Sequence, residues 1–249
     1  MKKQTLHQFL FAGLFLSVAF ISCKKEEEKT NNPTPTPYAC SSCATAPQAK
    51  AAYDASSKGV YKGIVIGSTG TIKFDISNDT TLITAVLTLD GITATLTSAV
   101  TWTAGTSYIA DFTGTFNGSP VTVKFQVDAT GTNPIILTSS IPGHPGASFT
   151  LEKEKSTALL ECFEGTYSTT KPETGTFNIL LSRKLAKFGG ASRKSGSMES
   201  EDIEDGTIDA SSNLYMDGTL IGKLSGDNID GSFKDSNGST VTIKGKRTL

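Results

Sequence analysis

The feature that most constrains this fold is the strict alternation of apolar and polar residues in short runs. Thr71-Ile72-Lys73-Phe74-Asp75-Ile76, Val121-Thr122-Val123-Lys124-Phe125-Gln126-Val127 and Thr240-Val241-Thr242-Ile243-Lys244 all alternate. A period of two sends successive side chains to opposite faces, so each run reads as a strand with one buried and one wet face. Between such runs stand Asp90-Gly91, Asn117-Gly118, Asp217-Gly218 and Asn237-Gly238. These residue types accept the positive φ that tight hairpin turns demand. Closely spaced turns of this kind predict antiparallel meanders that close as barrels or sandwiches. Leu-rich amphipathic stretches are absent, so the predicted class is all-β. The one expected helical piece is a turn or two at Pro47-Gln48-Ala49-Lys50-Ala51-Ala52-Tyr53, which has Pro at its first position.

The pattern also looks duplicated. Gly59-Val60-Tyr61 matches Gly165-Thr166-Tyr167 at an offset of 106, and Gly70-Thr71-Ile72 matches Gly175-Thr176-Phe177 at 105; both runs end their strand in Ser, at Ser77 and Ser182. Gly114-Thr115-Phe116 matches Gly231-Ser232-Phe233 at 117, and Ser119 to Lys124 matches Ser239 to Lys244 at 120. Matches in one order suggest two related β-meander units, residues 58–155 and 156–249. They leave open two small barrels or two halves of one sheet structure. The growing offset predicts an insertion at Arg183 to Asp205, and the first unit gains an extra hairpin at Pro134 to Glu152. Trp102, in Val100-Thr101-Trp102-Thr103, reads as a half-buried strand residue of the core.

The N-terminus carries a different message. Lys2 and Lys3 precede an apolar stretch of 13 residues, Phe9 to Ile21, followed by Ser22 and Cys23. This is too short to span a membrane as a helix, and its charged start and small residue before the cut make a secretory signal peptide, residues 1–22. A cysteine directly after Ser22 resembles a bacterial lipoprotein signal. That resemblance implies cleavage before Cys23 and acyl chains such as palmitate placed on its thiol. Phe20 departs from the usual Leu three positions before the cysteine. The run Lys24-Lys25-Glu26-Glu27-Glu28 resembles the tag that sends lipoproteins of certain Gram-negative bacteria across the outer membrane. The implied location is the outer membrane, lipid-anchored and facing the exterior. Asn31-Asn32-Pro33-Thr34-Pro35-Thr36-Pro37 then favours extended polyproline-like chain, a tether lifting the folded part off the lipid. Residues 23–57 thus read as lipidated cysteine, tether and short helical arm.

Composition and spacing narrow the chemistry. Loss of Lys2 and Lys3 with the signal leaves 21 basic against 24 acidic side chains, a formal charge of −3, and no basic stripe suited to nucleic acid. With Cys23 acylated, Cys40, Cys43 and Cys162 remain. The preferred expectation is a disulfide from Cys40 or Cys43 to Cys162, with Cys40–Cys43 as the alternative. A redox dithiol expects a βαβ setting, and none is visible. A Cys3His zinc site would have to draw on scattered ligands including His144, and zinc sites favour close pairs. No Gly-x-Ser-x-Gly elbow accompanies His144, so a serine hydrolase is not indicated. Glu199-Ser200-Glu201-Asp202-Ile203-Glu204-Asp205 is a local acidic run rather than two carboxylates set across a cleft. Asp227 to Gly231 and Asp235 to Gly238 read as turns rather than calcium loops. No catalytic residue, metal or cofactor is expected.

Two function classes follow. The first is a non-enzymatic binding or interaction module on a rigid β-scaffold, meeting a protein, glycan or small molecule, with Arg183–Asp205 as the candidate contact. The second is a small-molecule carrier, because Gly-x-Tyr followed by meander strands resembles lipocalin-like or avidin-like barrels, which enclose one ligand. A carrier needs an unfilled apolar cavity, whereas an interaction module packs its interior solid.

Overall fold

A computed structural model describes residues 38–67 and 69–249. The signal peptide, Cys23, the tag Lys24, Lys25, Glu26, Glu27 and Glu28, and the Pro-rich tether lie outside the described residues. Among the described residues the chain is all-β, with a single 3-10 turn at Ala51–Tyr53 where one or two helical turns were expected.

The first unit has eight strands: β1 (Gly59–Ile66), β2 (Gly70–Ile76), β3 (Ile83–Leu89), β4 (Ile92–Thr97), β5 (Tyr108–Phe116), β6 (Ser119–Val127), β7 (Ile135–Ser140) and β8 (Ser148–Lys153). They pair antiparallel in the order β7-β6-β5-β4-β3-β2-β1-β8, so the sheet curls almost shut with β7 and β8 as unpaired edges. The second unit has eight more: β9 (Glu161–Thr169), β10 (Thr174–Ser182), β11 (Lys187–Lys194), β12 (Glu201–Ile208), β13 (Asn213–Met216), β14 (Thr219–Ser225), β15 (Asn228–Lys234) and β16 (Thr240–Arg247). Here β16 pairs with β9 and the barrel closes. Closure removes the free edges that an open sheet exposes.

Three of the four turn dipeptides work as read; at Asn237-Gly238 only Gly238 takes a positive φ, 76°. Asp90, Asn117 and Asp217 sit at φ of 48° each, followed by Gly91, Gly118 and Gly218 at 75 to 80°. Two consecutive positive φ values make the tight turn that matches strand twist.

Several expectations are corrected. Arg183 to Asp205 is no inserted loop: it contains β11 and the start of β12, paired from Lys187↔Thr207 to Ser192↔Glu201. Pro134 to Glu152 is no hairpin, because β7 pairs with β6 while β8 pairs with β1. The later sequence matches equate strands of different rank. Phe116 ends the fifth strand of its unit and Phe233 lies in the seventh of its own. Hairpins of one geometry select the same Gly, Thr and Val pattern wherever they occur. Trp102 lies in the loop between β4 and β5, packed on the core from one end of the sheet; its Nε1 donates to Ser57 Oγ at 2.8 Å and Lys58 Nζ stands 4.4 Å from its ring centre.

The units meet along β1 and β10. Both strands are buried on both faces, which requires an apolar residue at nearly every position. Ile64-Val65-Ile66 and Ile179-Leu180-Leu181 supply it. Ile64, Ile66, Leu160, Cys162, Leu180 and Ala191 form the shared cluster. Beside it Lys62 Nζ lies 2.6 Å from Glu154 Oε2, both side chains fully buried. Lys62 also donates to Leu160 O at 2.9 Å, and Glu154 accepts from the backbone of Gln48 at 2.6 Å and Leu160 at 3.0 Å. Every partner in this network is satisfied, which a buried ion pair needs if it is not to destabilise the fold.

The arm before β1 runs across both units. Tyr38 Oη donates to Arg247 O at 2.9 Å, Cys40 N to Asp227 Oδ2 at 2.8 Å, and Arg247 Nη2 to Ala44 O at 2.6 Å. Farther on, Asn78 of the first unit bonds Lys50 N and Gln48 O. The preferred Cys162 disulfide is corrected here. Cys40 bonds Cys43 three residues away. Cys162 is a free thiol sealed in the interface, while Asp227 holds Cys40 at the surface of the second barrel.

Candidate functional site

The two interiors are built from the same alternation but are filled differently. In the first, Tyr61, Phe74, Phe112 and Phe125 are fully buried and interlock. Phe74 and Phe125 stack with ring centres 4.4 Å apart, and Phe112 meets Phe74 edge-on at 4.9 Å. Such offset and edge contacts fill space at interior density. Trp102 closes one end.

The second barrel encloses a cavity of about 240 Å³. Its walls are apolar: Phe177 and Ile179 from β10, Phe188 from β11, Ile221 from β14, Ile229 from β15 and Ile243 from β16. Leu214, Met216, Phe233 and Val241 complete them. On three strands the inward frame changes character toward one end. On β9 it runs Phe163, Gly165, Tyr167, Thr169; on β11, Phe188, Gly190, Ser192; on β12, Ile203 then Glu201. Thr169, Glu173, Ser192, Glu201 and Asp235 line that mouth.

Hydrogen bonds fix the rim. Asp235 Oδ1 accepts from the backbone N–H of Asn237 at 2.9 Å and Ser239 at 2.8 Å. Thr240 N donates to Thr170 Oγ1 at 3.1 Å, tying the β15–β16 turn to the β9–β10 turn. Ser195 N donates to Thr174 O at 2.8 Å, tying in the β11–β12 turn. Tyr167 Oη donates to Glu173 Oε1 at 3.2 Å, and Lys194 Nζ pairs with Glu173 Oε2 at 2.8 Å. Burial, then the Glu173 carboxylate and the charge of Glu201, push the Tyr167 phenol up to about 12, so it stays a donor. The Lys194 bond holds the Glu173 carboxyl below its usual range.

Of the residues singled out in sequence, only part of the acidic run comes to this site. Glu201 faces the mouth, whereas Asp202 pairs across from Ala191 on the opposite face. Asp227 anchors the arm and faces Arg247 at 3.7 Å. His144 packs edge-on against Phe116 in the first unit, ring centres 5.6 Å apart. Cys40 and Cys43 are bonded to each other, and burial pushes the Cys162 thiol up to about 12. Among the described residues no group of three or more His, Cys, Asp or Glu could hold a metal ion. Likewise, no described helix is long and apolar enough to cross a membrane.

Tyr167, Phe177 and Phe233 stand out in the sequence only as repeat matches, and neither they nor Ile229 were marked as lumen residues. One signal was available. Thr169, Ser192 and Glu201 put hydroxyls and a carboxylate in the inward frame, where a solid core would carry apolar residues. No family model, curated protein or solved structure matches the chain.

Proposed function

We propose that this chain is a lipid-anchored, cell-surface binding protein whose second barrel takes up one small, largely apolar molecule. The observation that carries this reading is the contrast of interiors: the first sheet is filled by stacked rings, while the second encloses about 240 Å³ bounded by apolar walls. An apolar cavity with a few converging polar groups is the usual form of a small-molecule site. This one exceeds the roughly 150 Å³ of an apolar cavity that holds benzene, so a small organic molecule fits. The rim turns are bonded to one another, so the mouth is preformed and little ordering is lost on binding. In this reading the first unit is a scaffold for the second. The anchor and surface location rest on Cys23 and on Lys24, Lys25, Glu26, Glu27 and Glu28.

The native mass of the protein from its host tests the carrier reading. The expected result is a mass exceeding chain plus acyl groups, an excess that disappears on denaturation and in Ile221→Phe, which fills the lumen. Equal native and denatured masses in protein that also takes up no added apolar probe would count against it. Protease added to intact cells tests the location: protection of the barrels would remove surface display.

The first unit supports a second reading, a protein-interaction module. Ile109, Ile135 and Leu137 are each more than two-fifths exposed near the unpaired edge β7, where an extended segment could add as a strand. An unchanged crosslinking pattern on intact cells for Ile135→Lys with Leu137→Lys would dispose of it.

A further inference from the structure

The mouth of the second barrel carries a further chemical message, which rests on reading that barrel as a ligand site. Three carboxylates line it, from Glu173, Glu201 and Asp235, and no Lys or Arg does. Glu173 is already matched by Lys194 on the rim and by the Tyr167 hydroxyl. Asp235 spends Oδ1 on the turn amides of Asn237 and Ser239, which leaves Oδ2 outside those bonds. Glu201 is exposed at the end of β12, opposite Ser192. The residual charge at the opening is therefore negative.

Aromatic rings stand directly below. Tyr167, Phe177 and Phe233 line the same space as the carboxylates. Ring faces attract an organic cation, and carboxylates attract it further where water is partly excluded. A carboxylate-bearing or phosphate-bearing ligand meets the opposite condition, because its charge would face Glu201 and Asp235 with no compensating cation in the lining. A neutral apolar molecule would fill the walls but leave the acidic mouth unused.

We propose that the ligand is a small amphiphile whose apolar body fills the lumen and whose single cationic head, an organic ammonium, sits at the mouth between Glu201 and Asp235 above the aromatic rings. The negative mouth would also draw cations toward it from solution, an attraction that weakens as salt is added.

Calorimetric titration of the full chain with n-heptylamine, n-heptanol and n-heptanoate tests this, since the probes share a seven-carbon chain and differ in the charge of the head. The amine is expected to bind at least about tenfold more tightly than the alcohol, the scale of one hydrogen bond to a charged group. Heptanoate is expected to bind more weakly than either. Glu201→Gln is expected to lower amine affinity about tenfold and alcohol affinity far less, so the amine-to-alcohol ratio reports the head-group contact while remaining alcohol binding reports an intact lumen. Equal binding of amine and alcohol overturns the charge assignment while the lumen stands as an apolar site. Binding of none of the three overturns the ligand site together with its charge preference.

Discussion

The two barrels show how little separates a scaffold from a container. Both are eight-stranded antiparallel meanders whose last strand returns to the first. In the first, rings from β1, β2, β5 and β6 converge at one level and meet at centre distances of 4.4 to 6.2 Å. In the second, β16 closes onto β9, and Phe177, Ile179, Ile221 and Ile243 line a cavity of about 240 Å³. Phe177 is the instructive case. A Cβ on Gly165 would lie 2.3 Å from its ring, and one on Gly245 3.0 Å. Two glycines on neighbouring strands let that ring lie flat against the wall, and the centre stays open. What fills a barrel is thus decided by where the small residues sit, as much as by how many large ones there are.

The comparison can be broken most forcefully where the barrels join. Lys62→Met leaves the Glu154 carboxylate buried without its cation, and a loss of about 3–5 kcal/mol is expected in urea unfolding. The double variant with Glu154→Leu should recover much of that loss. A cost for Lys62→Met no larger than that of a surface substitution would mean the pair is not sealed between the units.

Next comes the contrast of interiors. Phe125→Ala in the filled sheet is expected to cost about 3–5 kcal/mol, because a fully buried ring leaves a cavity behind. Phe233→Ala, on a half-buried ring beside space already empty, should cost about 1–2 kcal/mol. Equal losses would mean the second lumen is as tightly packed as the first.

Gly165→Ala sharpens the glycine argument. It pushes a methyl into Phe177 and against the Lys244 carbonyl and should cost about 1–3 kcal/mol; pairing it with Phe177→Leu should restore only the part due to the ring. A neutral Gly165→Ala would show that both the ring and the neighbouring strand give way easily, against the glycine argument.

A separate expected effect is on pH. Burial pushes Cys162 up from 9.0 to about 12. The unfolded chain therefore releases this proton first, and between those two values it binds fewer protons than the folded state. The contribution is fully present below pH 9 and is lost as pH rises toward 12. Urea midpoints across that range should fall less steeply in Cys162→Ala than in the parent chain. Identical slopes would place the thiol in contact with water.

Much of the strand content was legible in the sequence, because alternation at Thr71 to Ile76 and Val121 to Val127 reports directly on which face is wet. The turn dipeptides marked strand ends for the same local reason. Continuous runs such as Ile179-Leu180-Leu181 could have announced the interface, since a strand buried on both faces has no polar positions to alternate. Non-local facts were not readable. The partner of Cys40 depends on Asp227 and Arg247 drawing the arm onto the second barrel. The strand ranks of Phe116 and Phe233 depend on the whole order of the sheet. An empty lumen depends on the summed volumes of residues from eight strands, which no single window of sequence contains.

The most direct test of the account is a crystal of the protein pressurised with xenon, which enters dry apolar cavities of this size. The account predicts xenon density in the second barrel, bounded by Ile221, Ile229 and Phe233, and none among Tyr61, Phe74, Phe112 and Phe125. Xenon in both interiors, or in neither, would contradict it.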